Sequence, residues 1–207
     1  MKKKMIMSIC ITLAIIITVT ACTTYAYLYA SATASGRIEG EIESFDATLS
    51  LTDIYKATKL VPLSNDLVDD AIKKTSNKCI DKNGYEVCSL FRLTLANTGN
   101  AVNLNGYVTT VSSDYITNNL KYQIFDSNYT AVSDVMTLSS SANTMVYFTK
   151  NSNKINVNLA SSNITYYLAV WLTETGSSQT SDYSKNFSGK VGFESLVGNV
   201  LEASFDT

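Results

Sequence analysis

The amino-acid sequence predicts an all-β protein: an antiparallel β-sandwich with one short helix, preceded by an N-terminal hydrophobic signal or anchor helix. Three observations predict it. Apolar and polar residues alternate with period two through most of the chain after residue 44. The alternating runs are divided by Asn-, Ser- and Gly-containing turns at intervals of roughly 8–15 residues, the rhythm of a sandwich. Ahead of them, Met5–Gly36 carries no charged side chain and follows Lys2-Lys3-Lys4.

The leader comes first. A basic n-region stays on the cytoplasmic side while the apolar run enters the membrane. Met5–Cys22 would be about 27 Å long as a helix at ~1.5 Å per residue, close to the hydrocarbon thickness of a bilayer. Tyr25, Tyr27 and Tyr29 suit an interfacial belt. Ala30-Ser31-Ala32 is a small-x-small pattern that a signal peptidase pocket admits. Three outcomes stay open. Cleavage after Ala32 would release a chain starting at Thr33; retention would leave an anchor; lipidation at Cys22 would use Val19-Thr20-Ala21-Cys22 as a lipobox, although the aromatic stretch after it is a poor tether. The division is therefore 1–32 as signal or anchor, 33–43 as a mobile N-terminal segment or strand, and 44–207 as a single sandwich domain.

Strands follow. Phe45, Ala47, Leu49 and Leu51 share one face. Ile38 and Ile42 have the opposite parity, so Gly36–Glu43 is a separate element or is joined through a bulge. Asp66–Lys74 places Leu67, Val68, Ala71 and Ile72 at helical spacing, with Asn65 or Ser64 as N-cap. Acidic residues at its start and Lys73 and Lys74 at its end suit the helix dipole. It is short and must pack on a sheet to persist. In Tyr85–Asn97 the inward set is Tyr85, Val87, Phe91, Leu93 and Leu95. Asn97-Thr98-Gly99-Asn100 turns, and Val102, Leu104 and Val108 continue. Leu120, Tyr122 and Ile124 precede the turn at Asp126-Ser127-Asn128. Further strands are expected at Ala131–Leu138, Thr144–Phe148 and Ile155–Leu159. In Ile164–Glu174, alternate residues Ile164 to Leu172 share a side, with Trp171 opposite. Phe187–Phe193 and Val200–Phe205 end the series.

Cys79 and Cys88 flank Asp81-Lys82-Asn83-Gly84. Asn-Gly is a strong hairpin signal, and a hairpin there brings the two Cβ atoms to bridging distance. A disulfide is expected in an oxidising compartment. A CxxC-type redox pair has the wrong spacing. Cys10 and Cys22 fall within the leader.

Composition excludes several function classes. The chain has no histidine, so a Ser-His-Asp or Cys-His relay and the His-bearing zinc sites are out of reach. Sixteen Lys and Arg face eighteen Asp and Glu, and removing Lys2–Lys4 with the leader makes the rest more acidic. A nucleic-acid partner needs the reverse. No catalytic, cofactor or metal residue is assigned. Glu39, Glu41 and Glu43, and Asp69 with Asp70, read as solvated faces rather than a glycosidase pair. Asp81, Asn83 and Glu86 fall short of a Ca²⁺ loop. Asn128, Asn163 and Asn186 open N-glycosylation patterns of the kind an Asn-rich chain shows by chance.

Two stretches resemble the camelysin/TasA-type exported proteins of Gram-positive bacteria. Tyr25-Ala26-Tyr27-Leu28 and then Phe45-Asp46-Ala47-Thr48-Leu49-Ser50-Leu51 look like the signal end and first strand of that family. Leu93-Thr94-Leu95-Ala96-Asn97-Thr98-Gly99 is similar to its strand ending in Asn-x-Gly. Val170–Gly176, Gln179 and Phe187–Phe193 resemble the C-terminal strands of small exported proteins of this kind. The resemblance implies a jelly-roll-like sandwich, processed by a dedicated peptidase and deposited in the envelope or biofilm matrix, sometimes as fibres. The peptidase activity described for some camelysins is not carried over, because no metal motif matches.

The expected function is that of an exported surface or matrix protein that supports structure or interaction, with partners among its own copies or other cell-surface components. Ile38 and Ile42 are the candidate anchors of a donor strand that would pair with a neighbour's sheet edge; the alternative is an edge strand within its own sheet. A rival reading is a membrane-anchored module that recognises a surface glycan or protein through loops such as Thr175–Lys185, with Tyr183 as the stacking side chain.

Overall fold

Period-two alternation becomes two facing sheets. The computed structural model describes residues 45–74, 78–182 and 184–207. The expected cleavage residues Ala30, Ala32 and Thr33, the donor-strand residues Ile38 and Ile42, and Tyr183 lie outside the described residues. Phe45–Thr207 is a compact unit. Its elements are β1 (Ala47–Tyr55), α1 (Val68–Lys74), β2 (Cys88–Asn97), β3 (Val102–Ser113), β4 (Leu120–Phe125), β5 (Met136–Thr137), β6 (Met145–Tyr147), β7 (Thr149–Lys150), β8 (Asn153–Lys154), β9 (Asn156–Leu159), β10 (Asn163–Leu172), β11 (Phe187–Ser195) and β12 (Val200–Asp206).

The first sheet runs β1-β2-β10-β4-β5 and the second β12-β11-β3-β6, with β9 also beside β3; β7 and β8 form a small hairpin. Every strand pairing is antiparallel. Between the sheets, Phe91, Leu93, Leu95, Leu168 and Val170 of the first meet Leu104, Val108, Val191, Phe193 and Phe205 of the second. Phe45, Leu49 and Leu51 pack at the margin of this core, on the face their parity predicts.

The first sheet is buried on its other face too. Val68, Ala71 and Ile72 of α1 pack with Leu90, Phe125, Ala169 and Trp171 in a second apolar cluster. A two-sided sheet is why Trp171 interrupts the alternation of β10. Burying each such large side chain is worth about 1.5–3 kcal/mol, so α1 is held by the sheet rather than by its own seven residues.

Several local expectations are corrected. Val87 belongs to the second cluster and Tyr85 is exposed, because the cystine and the turn before β2 redirect the chain. The helix opens as a 3₁₀ turn over Asn65–Leu67, and Ser64 makes no side-chain cap. Asn65 serves tertiary structure instead: its Oδ1 accepts from Trp171 Nε1 at 3.0 Å and from Thr173 Oγ1 at 2.8 Å. Ala131–Leu138 forms only the two-residue β5. Its first half bends because the Ile124 carbonyl accepts from both Val132 and Ser133 N–H, while Ser133 Oγ takes the Ile124 N–H.

Candidate functional site

Polar side chains gather in three places: the cystine turn, a cleft at one end of the sandwich, and the outer face of the second sheet. Cys79 and Cys88 are joined, with Cα atoms 5.4 Å apart. The turn between them has a three-residue loop, Lys82 to Gly84, closed where Asp81 N–H donates to the Tyr85 carbonyl at 2.9 Å, rather than a two-residue Asn-Gly corner. Gly84 N–H donates to the Asp81 carbonyl at 3.1 Å, and Gly84 alone of the turn's residues takes a positive φ, 85°. Ile80 and Glu86 make a lone bridge rather than extended strands. Asp81 Oδ1 accepts from the Asn83 and Tyr85 N–H groups, both at 2.8 Å. Glu86 points the other way. Its Oε2 accepts from Thr58 N–H at 2.8 Å, Thr58 Oγ1 at 2.7 Å and Lys59 N–H at 3.2 Å, and its Oε1 from Tyr55 Oη at 2.8 Å. Donation by Thr58 and Tyr55 lowers the Glu86 carboxyl to about 2. The two acids are thus spent on backbone and hydroxyl donors in different directions, and do not converge as a Ca²⁺ loop requires.

The cleft encloses about 130 Å³ between the β1–α1 connection, the loop after β3 and the segment before β11; Thr58, Lys59, Tyr115, Asp182 and Lys185 line it. Asp182 is 3% exposed and binds two loops together. Its Oδ1 accepts from Thr117 Oγ1 at 2.8 Å and its Oδ2 from Asn119 Nδ2 at 3.1 Å. Tyr115 Oη donates to the Lys185 carbonyl at 3.3 Å. Burial, and then the nearby carboxylates of Asp182 and Asp114, push the Tyr115 hydroxyl up to about 12. This is a polar recess with Lys59 and Lys185 in its lining and the buried Asp182 carboxylate behind them, suited to holding a small polar group. The sequence places its walls far apart, so only the loop 175–185 was signalled in advance.

On the outer face of the second sheet, Tyr107 and Tyr147 meet edge to face with centroids 6.1 Å apart. Tyr107 Oη donates to Glu202 at 3.0 Å and Tyr147 Oη to Glu194 at 2.6 Å. Lys190 bridges to Glu202 at 2.8 Å, and the Lys154 ammonium stands 3.3 Å above the Tyr147 ring. Burial and the Glu202 bond raise the Tyr107 hydroxyl above its ordinary range, while Lys190 lowers the Glu202 carboxyl. Both carboxylates accept from phenols of neighbouring strands, so the array braces the sheet. Alternation hid it, because Tyr counts as apolar in the pattern.

Among the described residues, no group of three or more His, Cys, Asp or Glu converges as a metal set. Asp69 and Asp70 sit in the first turn of α1, where Asp69 accepts from the Asp70 N–H at 2.9 Å and from Lys73 Nζ at 3.4 Å. Of the glycosylation patterns, Asn128 lies in a turn, Asn163 opens β10, and Asn186 donates to Asp114 at 3.2 Å. No described helix is long and apolar enough to cross a membrane.

No protein-family model and no curated protein matches the chain. Among solved structures, it is similar to AvmM, which catalyses macrocyclization in alchivemycin A biosynthesis, at 10% identity and a TM-score of 0.36 over 83% of this chain and 95% of that one. A conjugative transposon lipoprotein from Bacteroides eggerthii DSM 20697 matches at 12% identity and a TM-score of 0.32, over 79% and 97%. The bacterial hydrophobin BslA matches at 16% identity and a TM-score of 0.30, over 78% and 92%. At these scores the likenesses carry no argument about what the chain does.

Proposed function

We propose that the chain is an exported, non-catalytic protein of the cell surface or extracellular matrix, held or released by its N-terminal leader and working through its sheet edges and faces. The observation that carries this reading is the Cys79–Cys88 bridge in a chain that opens with three lysines and a long uncharged run. Structural cystines persist in oxidising compartments, which such a leader reaches. The resemblance to camelysin/TasA-type proteins points the same way.

Assembly through edges is the finer part of the proposal. β1 and β12 are edge strands of opposite sheets on one side of the sandwich, joined by the ion pair of Lys56, just after β1, with Asp206 of β12 at 2.5 Å. Neither has a second neighbour among the described residues. A strand over residues 36–43, with Ile38 and Ile42 as alternate anchors, would add to such an edge on another copy by main-chain pairing. Two measurements test the proposal. The intact mass of the native surface form separates cleavage after Ala32 from an intact leader or a lipidated Cys22. Electron microscopy of the purified chain, with and without residues 33–43, reads assembly: loss of fibres on deletion supports the donor strand, and unchanged assembly removes it.

The polar cleft favours a second reading, an anchored module that binds a surface glycan or protein. It lies against the loop 175–185 that the sequence marks for this role. Saturable glycan binding by a monomer, lost in Tyr115→Ala or Tyr183→Ala, would select that reading.

A further inference from the structure

The β11–β12 turn carries two aliphatic side chains that its geometry does not require. Ser195 N–H donates to the Asn199 carbonyl at 2.8 Å, Gly198 N–H to the Ser195 carbonyl at 3.0 Å, and Asn199 N–H to Ser195 Oγ at 3.0 Å. Gly198 supplies the left-handed residue, with φ 90°. Such a turn is ordinarily built from Asn, Asp, Ser or Pro at its corners. Here the corners are Leu196 and Val197, 75% and 76% exposed, followed by Val200 at 51%. Lone exposed aliphatics are ordinary on protein surfaces. Three within five residues, on a turn pinned by three hydrogen bonds, are not scattered.

Their place in the topology gives them a direction. Val200 pairs with Glu194, and Ser195 stands opposite Leu104 near the start of β3. Ala47 pairs with Asn97 and Ala96 with Asn163, so the connections β2–β3 and β9–β10 lie at this same end, as does the start of β1. The three connections, 97–101, 159–163 and 195–200, contain no charged residue. Asp46, whose carbonyl accepts from Thr98 N–H, stands beside them. The opposite end is strewn with charge, including Lys56, Lys59, Asp81, Asp114, Glu174 and Lys185. The chain enters β1 from residues 1–44 at this same end, so an uncleaved leader would tether this end of the sandwich to the bilayer.

Resting on the retained-anchor form of the proposed function, we infer that the β11–β12 tip docks into a lipid surface, inserting Leu196 and Val197 among the headgroups and upper acyl chains. Three connections without charge lose little hydration there, and exposed aliphatics gain an apolar medium. The rigid turn presents both side chains without further ordering. The charged end then faces away from the membrane, with the polar cleft open to the surroundings.

The test uses the full chain reconstituted into phosphatidylcholine vesicles, with and without brominated acyl chains. Val197→Trp reports the tip, Leu196→Trp repeats the measurement should the first variant misfold, and Ile116→Trp, 81% exposed at the charged end, is the control. Flotation with the vesicles reads the anchor, and bromine quenching reads the docking. Docking predicts at least twofold quenching at position 197 or 196, against little change for Ile116→Trp and for the unaltered chain with its buried Trp171. A chain that floats but shows equal quenching at both ends overturns the docking and leaves the anchor standing. Emission that shifts with protein density and ignores bromine assigns the tip to a second copy, which also overturns it. Failure to float removes the retained anchor and the docking together.

Discussion

Glu86 shows how much one side chain organises. It sits two residues before Cys88 and reaches back across the sequence to hold Thr58, Lys59 and Tyr55. These donors favour the ionised form and lower its pKa from 4.5 to about 2. A carboxyl depressed in the folded state contributes stability that is complete above its unfolded pKa and is lost as pH falls towards the folded value. Denaturant midpoints measured from pH 6 to pH 2 are therefore expected to decline below about 4.5, and Glu86→Gln should flatten part of that decline while lowering the plateau. Parallel curves for the two proteins would mean that the carboxylate is not coupled to folding. At this scale the sequence was legible in part. Cys79 and Cys88 were paired from spacing and turn chemistry, whereas Glu86 looked like a turn residue, because its partners lie some thirty positions away. Asn65 was misread for the same reason: Ser, Asp and Asn before a helix signal a cap, and nothing local reveals that Trp171 would claim the oxygen first.

Strands and turns were read best where a single face is buried. Leu93 and Leu95 on β2, and Leu168, Val170 and Leu172 on β10, point into the inter-sheet core as their parity requires. The reading failed at the start of β2, where Cys88 and Leu90 are buried beneath α1 and alternation no longer distinguishes inside from outside. Glycine supplies a second kind of information at this scale. Gly106 on β3 needs no unusual backbone; it leaves room for a ring. A Cβ there would lie 2.2 Å from Phe148 Cδ2. Phe148 cannot swing aside, because Tyr122 and Phe193 contact it with centroids 6.2 and 5.8 Å away. Gly106→Ala is expected to cost roughly 1–3 kcal/mol by overpacking, read as a lower denaturant midpoint with an unchanged slope. Adding Phe148→Leu should make the Gly106→Ala step cheaper than it is in the parent. Additive costs would show that the two positions do not compete for the same volume.

For the molecule as a whole, alternation and turn spacing were enough to predict a sandwich, but not its strand order. That order depends on pairs such as Cys88 with Trp171, and no periodicity encodes them. The cleft was hidden for a related reason: its walls come from three loops that only the closed sandwich brings together. One global property does follow from composition and structure jointly. Histidine, the side chain whose ordinary pKa lies between about 5 and 8, is absent. Shifted acids and phenols move away from that window on both sides, whereas burial lowers Lys121 from the alkaline side. Glu86 and Glu202 are lowered, while burial raises Tyr55 and Tyr115 to about 12 and lifts Tyr107 and Tyr122 further. A phenol raised in the folded state contributes stability that is intact below its unfolded pKa near 10 and disappears as pH rises through the folded value. Folding stability is therefore expected to be level from about pH 5.5 to 9 and to fall steeply above about 10. Unfolding followed through Trp171 emission at closely spaced pH values checks this, and Tyr122→Phe should soften the alkaline fall despite losing the 3.1 Å bond to the Val146 carbonyl. A marked change between pH 6 and 8 would contradict the expectation, because no side chain described here supplies a proton in that interval. Such a plateau suits a protein exposed to an exterior whose acidity the cell does not control.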